Sequence, residues 1–362
     1  MPRPTVPIAL LAAWALAGCA TPSGGGAPAE TYANPVLDSD FPDPAVLRAS
    51  DGAYYVYATQ GGGAEGAMLN VQVARSSDLI AWEVLGDALP VKPGWASRTQ
   101  DFWAPHVLEA GGVYYLYYSA KPDSALTDAS QGLCLAVATA DRPEGPFTDI
   151  GRPLQCGPGF VNIDPMAYDD PASGRRLLYW GSGFGPIKVR ELAPDRISFA
   201  PGSEAVDLVH PVPSEDPADY RRLIEGAWLI RRGDYHYLFY SGDNCCGPNA
   251  HYATMVARSR SPTGPFETRR GPGGAPVELV LERRGTWVAP GHNSVIADGC
   301  GRDWILYHAV DSRRPRSRPG DEINTRRVML LDRLVWSDGW PRVEGPSGGA
   351  RPGPGSGCSR SR

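Results

Sequence analysis

The chain has 362 residues, with 35 Lys and Arg against 40 Asp and Glu and a formal charge of −5. That balance supplies no basic face for nucleic acid. No apolar run approaches the ~20 residues needed to cross a bilayer as a helix, and 43 glycines with 36 prolines point to many tight turns.

The first nineteen residues read as an export leader. Arg3 gives a short positive region, Ile8 to Ala17 an apolar core, and Leu16-Ala17-Gly18-Cys19 a small-residue cleavage site that ends on cysteine. This is the pattern of a bacterial lipoprotein signal. The mature chain is expected to begin at Cys19 with lipid on its sulfur and amine, and to run through a flexible tether over 20–31. The expected setting is an exported lipoprotein of the outer membrane, periplasmic or surface-facing, that touches the membrane only through that lipid. A monomer is expected.

From 32 to 344 the chain falls into five similar units. Their lead residues, Asp43, Trp103, Asp164, Glu225 and His292, are spaced by 60, 61, 61 and 67 residues. An aromatic-rich or aliphatic strand follows each, centred on Tyr55, Tyr115, Leu178, Tyr237 and Leu306. A third strand repeats as well: Val71–Ser76, Leu135–Thr139, Ile187–Arg190, Thr254–Ser259 and Arg327–Leu331 each precede a buried aromatic residue. Arg142-Pro143-Glu144-Gly145-Pro146 and Ser261-Pro262-Thr263-Gly264-Pro265 hold the same place in two units, as hairpin turns. Period-2 patterning dominates and no long window keeps helical spacing. The expected fold is all-β, a five-bladed β-propeller with about four antiparallel strands per blade. Such a ring points the start of every unit at one axis. The stretch 345–362, rich in Gly, Pro, Ser and Arg, is expected to be a disordered tail.

Besides Cys19 there are six cysteines, at 134, 156, 245, 246, 300 and 358, in no zinc-like spacing. Export permits disulfides, and the pairing stays open. Cys245 and Cys246 either pair with each other or stand as buried thiols, and Cys358 is expected to be unpaired.

Three acids sit where an ionised side chain is costly to desolvate: Phe41-Pro42-Asp43-Pro44-Ala45, Asn162-Ile163-Asp164-Pro165-Met166 and Leu223-Ile224-Glu225-Gly226-Ala227. Proline after Asp43 and Asp164 biases each acid away from helical geometry. Glycoside hydrolysis needs two such carboxyls, one to protonate the leaving oxygen and one to activate water on the other face of the sugar. A third acid beside the donor keeps it protonated. A lone acid of this kind can also simply lock neighbouring blades together.

Pro42-Asp43-Pro44, Trp103-Ala104-Pro105-His106-Val107, Ile163-Asp164-Pro165, Ile224-Glu225-Gly226 and Pro290-Gly291-His292-Asn293 resemble, in order, the successive motifs of glycoside hydrolase family 43 over about 34–343. That family is a five-bladed propeller acting on arabinans, xylans and related plant glycans with inversion of the anomeric centre. The resemblance implies Asp43 as general base, Glu225 as general acid and Asp164 as the acid that tunes and orients Glu225. It also implies that His292 helps hold a hydrated Ca2+ at the axis, through water. Trp103 is the expected sugar platform, with Asn162, Phe184 and His308 as further substrate contacts and Arg326 or Arg327 as a partner for a substrate hydroxyl. The double cysteine in Ser241-Gly242-Asp243-Asn244-Cys245-Cys246-Gly247 is similar to a segment of endo-arabinanases. The implied partner is therefore plant cell-wall arabinan, poly- or oligosaccharide, with a β-xyloside as alternative. A glycan-binding propeller without activity would have lost one of the acids, and a fructan hydrolase would carry Asn-Asp-Pro-Asn and Glu-Cys motifs; neither holds here.

Overall fold

The computed structural model describes Met1 and residues 31–63, 67–317 and 324–356. Five antiparallel meanders follow one another along the chain, each taking its four strands in sequence order. Blade 1 uses Ala45–Arg48, Tyr54–Ala58, Gln72–Ser76 and Glu83–Asp87. Blade 2 uses Phe102–Ala110, Val113–Ala120, Cys134–Ala140 and Thr148–Asp149, with Gln155–Cys156 also paired to its third strand. Blade 3 comprises Met166–Asp169, Arg176–Trp180, Ile187–Glu191 and Val206–Val209. Blade 4 comprises Ile224–Arg232, Tyr235–Asn244, His251–Ser259 and Leu279–Leu281. Blade 5 closes the ring with Trp287–Ala297, Asp303–Asp311, Arg327–Ser337 and Trp340–Val343. This is the expected five-bladed propeller.

One repeated residue explains why the second strands are aromatic. Tyr57, Tyr117, Tyr179 and Tyr237 are all buried between blades. A buried phenol must place its hydroxyl on a partner. Each donates to a carbonyl in the turn between strands three and four of the next blade: Pro143 (2.5 Å), Arg196 (2.7 Å), Pro262 (2.7 Å) and Gly339 (2.6 Å). The ring thus fills the inter-blade space while the hydroxyl fixes the angle to its neighbour. In blade 5 the matching Tyr307 donates within its own blade, to Asp332 Oδ2 (2.6 Å).

Blade 5 meets blade 1 through the segment that precedes Asp43. Val36 N–H donates to the Met329 carbonyl (3.0 Å) and Phe41 N–H to that of Arg327 (2.8 Å), beside the third strand of blade 5. Asn34 pins this contact: its Nδ2 reaches Leu331 O (3.0 Å), Asp332 Oδ2 (3.3 Å) and Ser347 Oγ (3.0 Å), and its Oδ1 accepts from Leu331 N–H (2.9 Å). Replacing Asn34 by Ala is expected to destabilise the fold by roughly 2 kcal/mol, since several part-buried partners are left unpaired at once. A thermal midpoint equal to the parent's would show that Asn34 does not close the ring.

The expectation of a disordered tail fails for residues 345–356. Arg351–Pro352 pairs antiparallel with Thr31–Tyr32, which also takes Thr31 out of the expected tether. Ser347 is buried, donates its N–H to Asp332 Oδ2 (3.1 Å) and accepts from Trp287 Nε1 at its carbonyl (3.2 Å). Backbone pairing and fixed polar partners order this stretch although it has little apolar surface to bury. The remainder of the tail with Cys358, the leader, and the tether up to residue 30 lie outside the described residues. Cys134 pairs with Cys156 and Cys245 with Cys246, and Cys300 is also disulfide-bonded.

Candidate active site

Each blade has a residue in the left-handed region at or just before the first part of its inner strand: Asp43 (φ 59°), Ala104 (43°), Asp164 (60°), Gly226 (64°) and His292 (48°), with Ala289 (50°) as a second one in blade 5. The structural repeat therefore coincides with the lead residue in blades 1, 3 and 5. In blades 2 and 4 it falls one position after Trp103 and Glu225. Asp tolerates this conformation through local hydrogen bonds. Glycine suits position 226 by its φ, and a Cβ there would make a tight contact, 3.3 Å from the His292 ring.

The kinks are fixed by the end of the preceding blade's second strand. Ala104 N–H donates to Thr59 Oγ1 (2.7 Å), Asp164 N–H to Ser119 Oγ (3.1 Å), His292 N–H to Ser241 Oγ (2.8 Å) and Asp43 N–H to His308 Nδ1 (3.2 Å). The junction between blades 3 and 4 departs from this rule. There Gly226 N–H donates to Asp164 Oδ2 (3.0 Å), and the hydroxyl of Ser182, just past the second strand of blade 3, donates instead to Glu225 Oε2 (2.6 Å). Tyr252 OH holds the other oxygen, Oε1 (2.9 Å).

Asp43 is held as firmly. Thr59 Oγ1 accepts from Ala104 N–H and donates its own proton to Asp43 Oδ2 (2.6 Å). Arg327 Nη1 donates to Oδ1 (3.1 Å), and His292 Nδ1 stands 3.3 Å from Oδ1 and 3.9 Å from Asp164 Oδ2. Asp43 and Asp164 thus both face His292 Nδ1, and all three acids are buried, each no more than 8% exposed.

Their protonation biases differ. Burial alone would raise the Asp43 carboxyl, but Arg327, His292 and His308 together outweigh it and hold the group well below the ordinary carboxylate range. Burial raises Glu225 against the hydroxyls of Ser182 and Tyr252, and the Asp43 charge adds to the rise. Asp164 is raised well above its ordinary value by burial and then by the charges of Glu225 and Asp43. Asp164 and Glu225 titrate together, and the pair keeps a proton into a range where a free carboxylic acid has lost it. Burial lowers both histidines, His308 to about 4.

Of the other expected site residues, Trp103 is half-buried where blade 2 begins, its backbone opposite Ser119. Phe184 is exposed on the turn after Ser182. Asn162 is buried, and its Oδ1 accepts from Gln155 Nε2 (3.1 Å) and Trp180 Nε1 (3.2 Å). His308 is wholly buried, with Tyr252 stacked on it, and its Nδ1 accepts from Asp43 N–H, so it holds the backbone that carries the carboxylate. Arg326 turns to Asp38 while Arg327 takes the axial role. Sequence reasoning passed over Thr59, Ser182 and Tyr252. The polar residues at 59, 119, 182, 241 and 308, one per unit in aromatic strands, were the available signal. Cavities of about 210 and 170 Å3 lie elsewhere, lined by Tyr240 and Glu278 in one and by Trp304 and Arg333 in the other, and touch none of the three acids.

Five blades with three buried, convergent carboxyls agree with the match of residues 32–341 to the model of glycosyl hydrolases family 43. The chain belongs to that family. An extracellular exo-α-(1→5)-L-arabinofuranosidase of Cellvibrio japonicus is 27% identical over 322 residues, covering 84% of this chain and 86% of the relative. A probable arabinan endo-1,5-α-L-arabinosidase A of Aspergillus flavus is 30% identical over 331 residues, covering 86% and 94%. The crystal structure of a thermostable family-43 glycoside hydrolase superposes with a TM-score of 0.71 at 28% identity, covering 90% of this chain and 99% of that one. The protein is thus a family 43 glycoside hydrolase.

The family resemblance raised a calcium ion at His292. Among the described residues no three His, Cys, Asp or Glu side chains are grouped to hold a metal. His292 offers one imidazole whose Nδ1 faces Asp43 and Asp164, whereas calcium takes six to eight oxygen ligands. These residues do not fit a directly ligated calcium, and no step below passes through one.

Proposed function

We propose that this family 43 chain is an inverting hydrolase of α-L-arabinofuranosidic linkages in arabinan, with Asp43 as general base, Glu225 as general acid and Asp164 as the group that orients Glu225 and keeps its proton. One observation carries the reading: the buried carboxyls are biased in opposite directions, Asp43 to the ionised form and the Asp164–Glu225 pair to the protonated one. Asp43 takes a proton from water as that water attacks the anomeric carbon, and Glu225 gives its proton to the departing oxygen. The names of the relatives from Cellvibrio and Aspergillus support arabinan as the polymer. Incubation with linear arabinan and with xylan, followed by NMR of the first-formed anomer, tests this. Release of the β-anomer from arabinan is expected; a retained anomer would remove Asp43 as base, and products from xylan alone would move the substrate to a β-xyloside.

The pH profile follows from the same groups. Activity requires Asp43 ionised and Glu225 protonated, so kcat/KM is expected to rise at a pH below the ordinary carboxylate range and to fall above it. Arg327 lowers all three acids. In Arg327→Gln both limbs are therefore expected to move to higher pH, the acid limb by about one unit. An acid limb that stays in place would mean that a group other than Asp43 titrates there.

The leader pattern supports export and anchoring through lipid on Cys19. Metabolic palmitate labelling of the full chain that persists in Cys19→Ala would end the anchoring proposal.

A further inference from the structure

The turn between the second and third strands of blade 3 starts with Ser182, the hydroxyl partner of Glu225, and is closed by Gly185 N–H on the Ser182 carbonyl (3.1 Å). Its central residues Gly183 (φ 68°) and Phe184 (φ 64°) are both left-handed. Such a turn favours Gly and Asn, and an aromatic residue there is held against its steric preference. Phe184 is nevertheless 68% exposed, so burial does not account for it.

Phe160 stands beside it, 36% exposed, with ring centroids 6.4 Å apart. These are the two exposed aromatic rings among the described residues, and they are neighbours. The loop bearing Phe160 is fixed by the Cys134–Cys156 bond and by Gly132 and Leu133 N–H groups on the carbonyls of Gly157 and Gly159 (both 2.8 Å). It also packs on the turn: a Cβ on Gly183 would lie 2.9 Å from Val161 Cγ1. Two braced loops therefore present two adjacent apolar rings, tilted by 60° to each other, on the turn whose Ser182 holds Glu225.

We infer that Phe160 and Phe184 form the platform for the sugar on the leaving-group side of the scissile bond. The inference rests on Glu225 being the general acid, because the acid stands beside the oxygen that departs, and the turn that orients it carries Phe184. Aromatic rings hold the apolar face of a pentose by stacking, so the ligand is the pentose unit released with the leaving oxygen. Chain-length preference is read here.

The full chain and its Phe184→Ala, Phe160→Ala and Phe184→Trp variants are compared on α-1,5-arabino-oligosaccharides from dimer to hexamer. Both alanine variants are expected to raise KM about five- to tenfold with kcat changed less than twofold, and Phe184→Trp to restore KM. Unchanged KM in both alanine variants overturns the platform; so does a fall in kcat at constant KM with a lower thermal midpoint, which marks a purely structural role. Calorimetric binding of arabino- and xylo-oligosaccharides separates this from the functional reading. If the parent does not hydrolyse arabinan yet binds one of these series and loses that binding in Phe184→Ala, the platform stands and the arabinan reading falls. If the parent binds neither series, both fall.

Discussion

Replacing Glu225 by Gln is expected to lower kcat on linear arabinan by about 10²–10⁴, the range that general acid catalysis supplies. The amide has the shape of the carboxyl, so Tyr252 can still donate to one atom while Ser182 turns to accept from the other, and the fold should be kept. What it lacks is a proton acidic enough to give to the leaving oxygen. A dinitrophenyl arabinofuranoside, whose leaving group departs without protonation, should lose far less. The alkaline limb of the pH profile should disappear with the titrating group. Equal losses on both substrates, or turnover within twofold of the parent on arabinan, would remove Glu225 from the acid role.

Asp43→Gly is expected to give a loss of comparable size, about 10²–10⁴, on both substrates, because water must be activated whatever leaves. Glycine suits the backbone, since Asp43 is in the left-handed region. The variant also opens space where the carboxylate stood, so azide, which needs no general base, should restore turnover and yield a glycosyl azide of inverted configuration. Azide that restores nothing while arabinan binding persists would argue against Asp43 as base. Removing Asp43 leaves the Arg327 guanidinium without its axial partner, and some loss of thermal stability should accompany it; a Thr59→Val variant, which keeps Asp43 and removes its 2.6 Å donor, separates the two effects.

Much of this site was legible because the chain repeats itself. Acids placed among proline and apolar neighbours at unit spacing have few uses in solvent-poor positions, and Asp43, Asp164 and Glu225 do converge. Asn162 misled in part: two residues before Asp164, its Oδ1 accepts from Gln155 and Trp180, 7 and 18 residues away, partners that no pattern in the sequence announces. The tail misled for a different reason. Composition measures the apolar surface a segment can bury, but strand pairing with Thr31–Tyr32 and the hydrogen bonds of Ser347 need none.

The amino-acid sequence by itself determined the number of blades, the alternation of buried aromatic strands and which carboxyls are buried at the starts of the units, since periodicity and desolvation are properties of residue type and spacing. Which acid is charged and which keeps its proton was decided only by tertiary structure. Arg327 reaches Asp43 across 284 residues, and Asp164 takes the Gly226 N–H, whose counterparts in blades 2, 3 and 5 go to a hydroxyl, which frees Ser182 for Glu225. Electrostatic interactions depend on distances through space, and ring closure sets those distances.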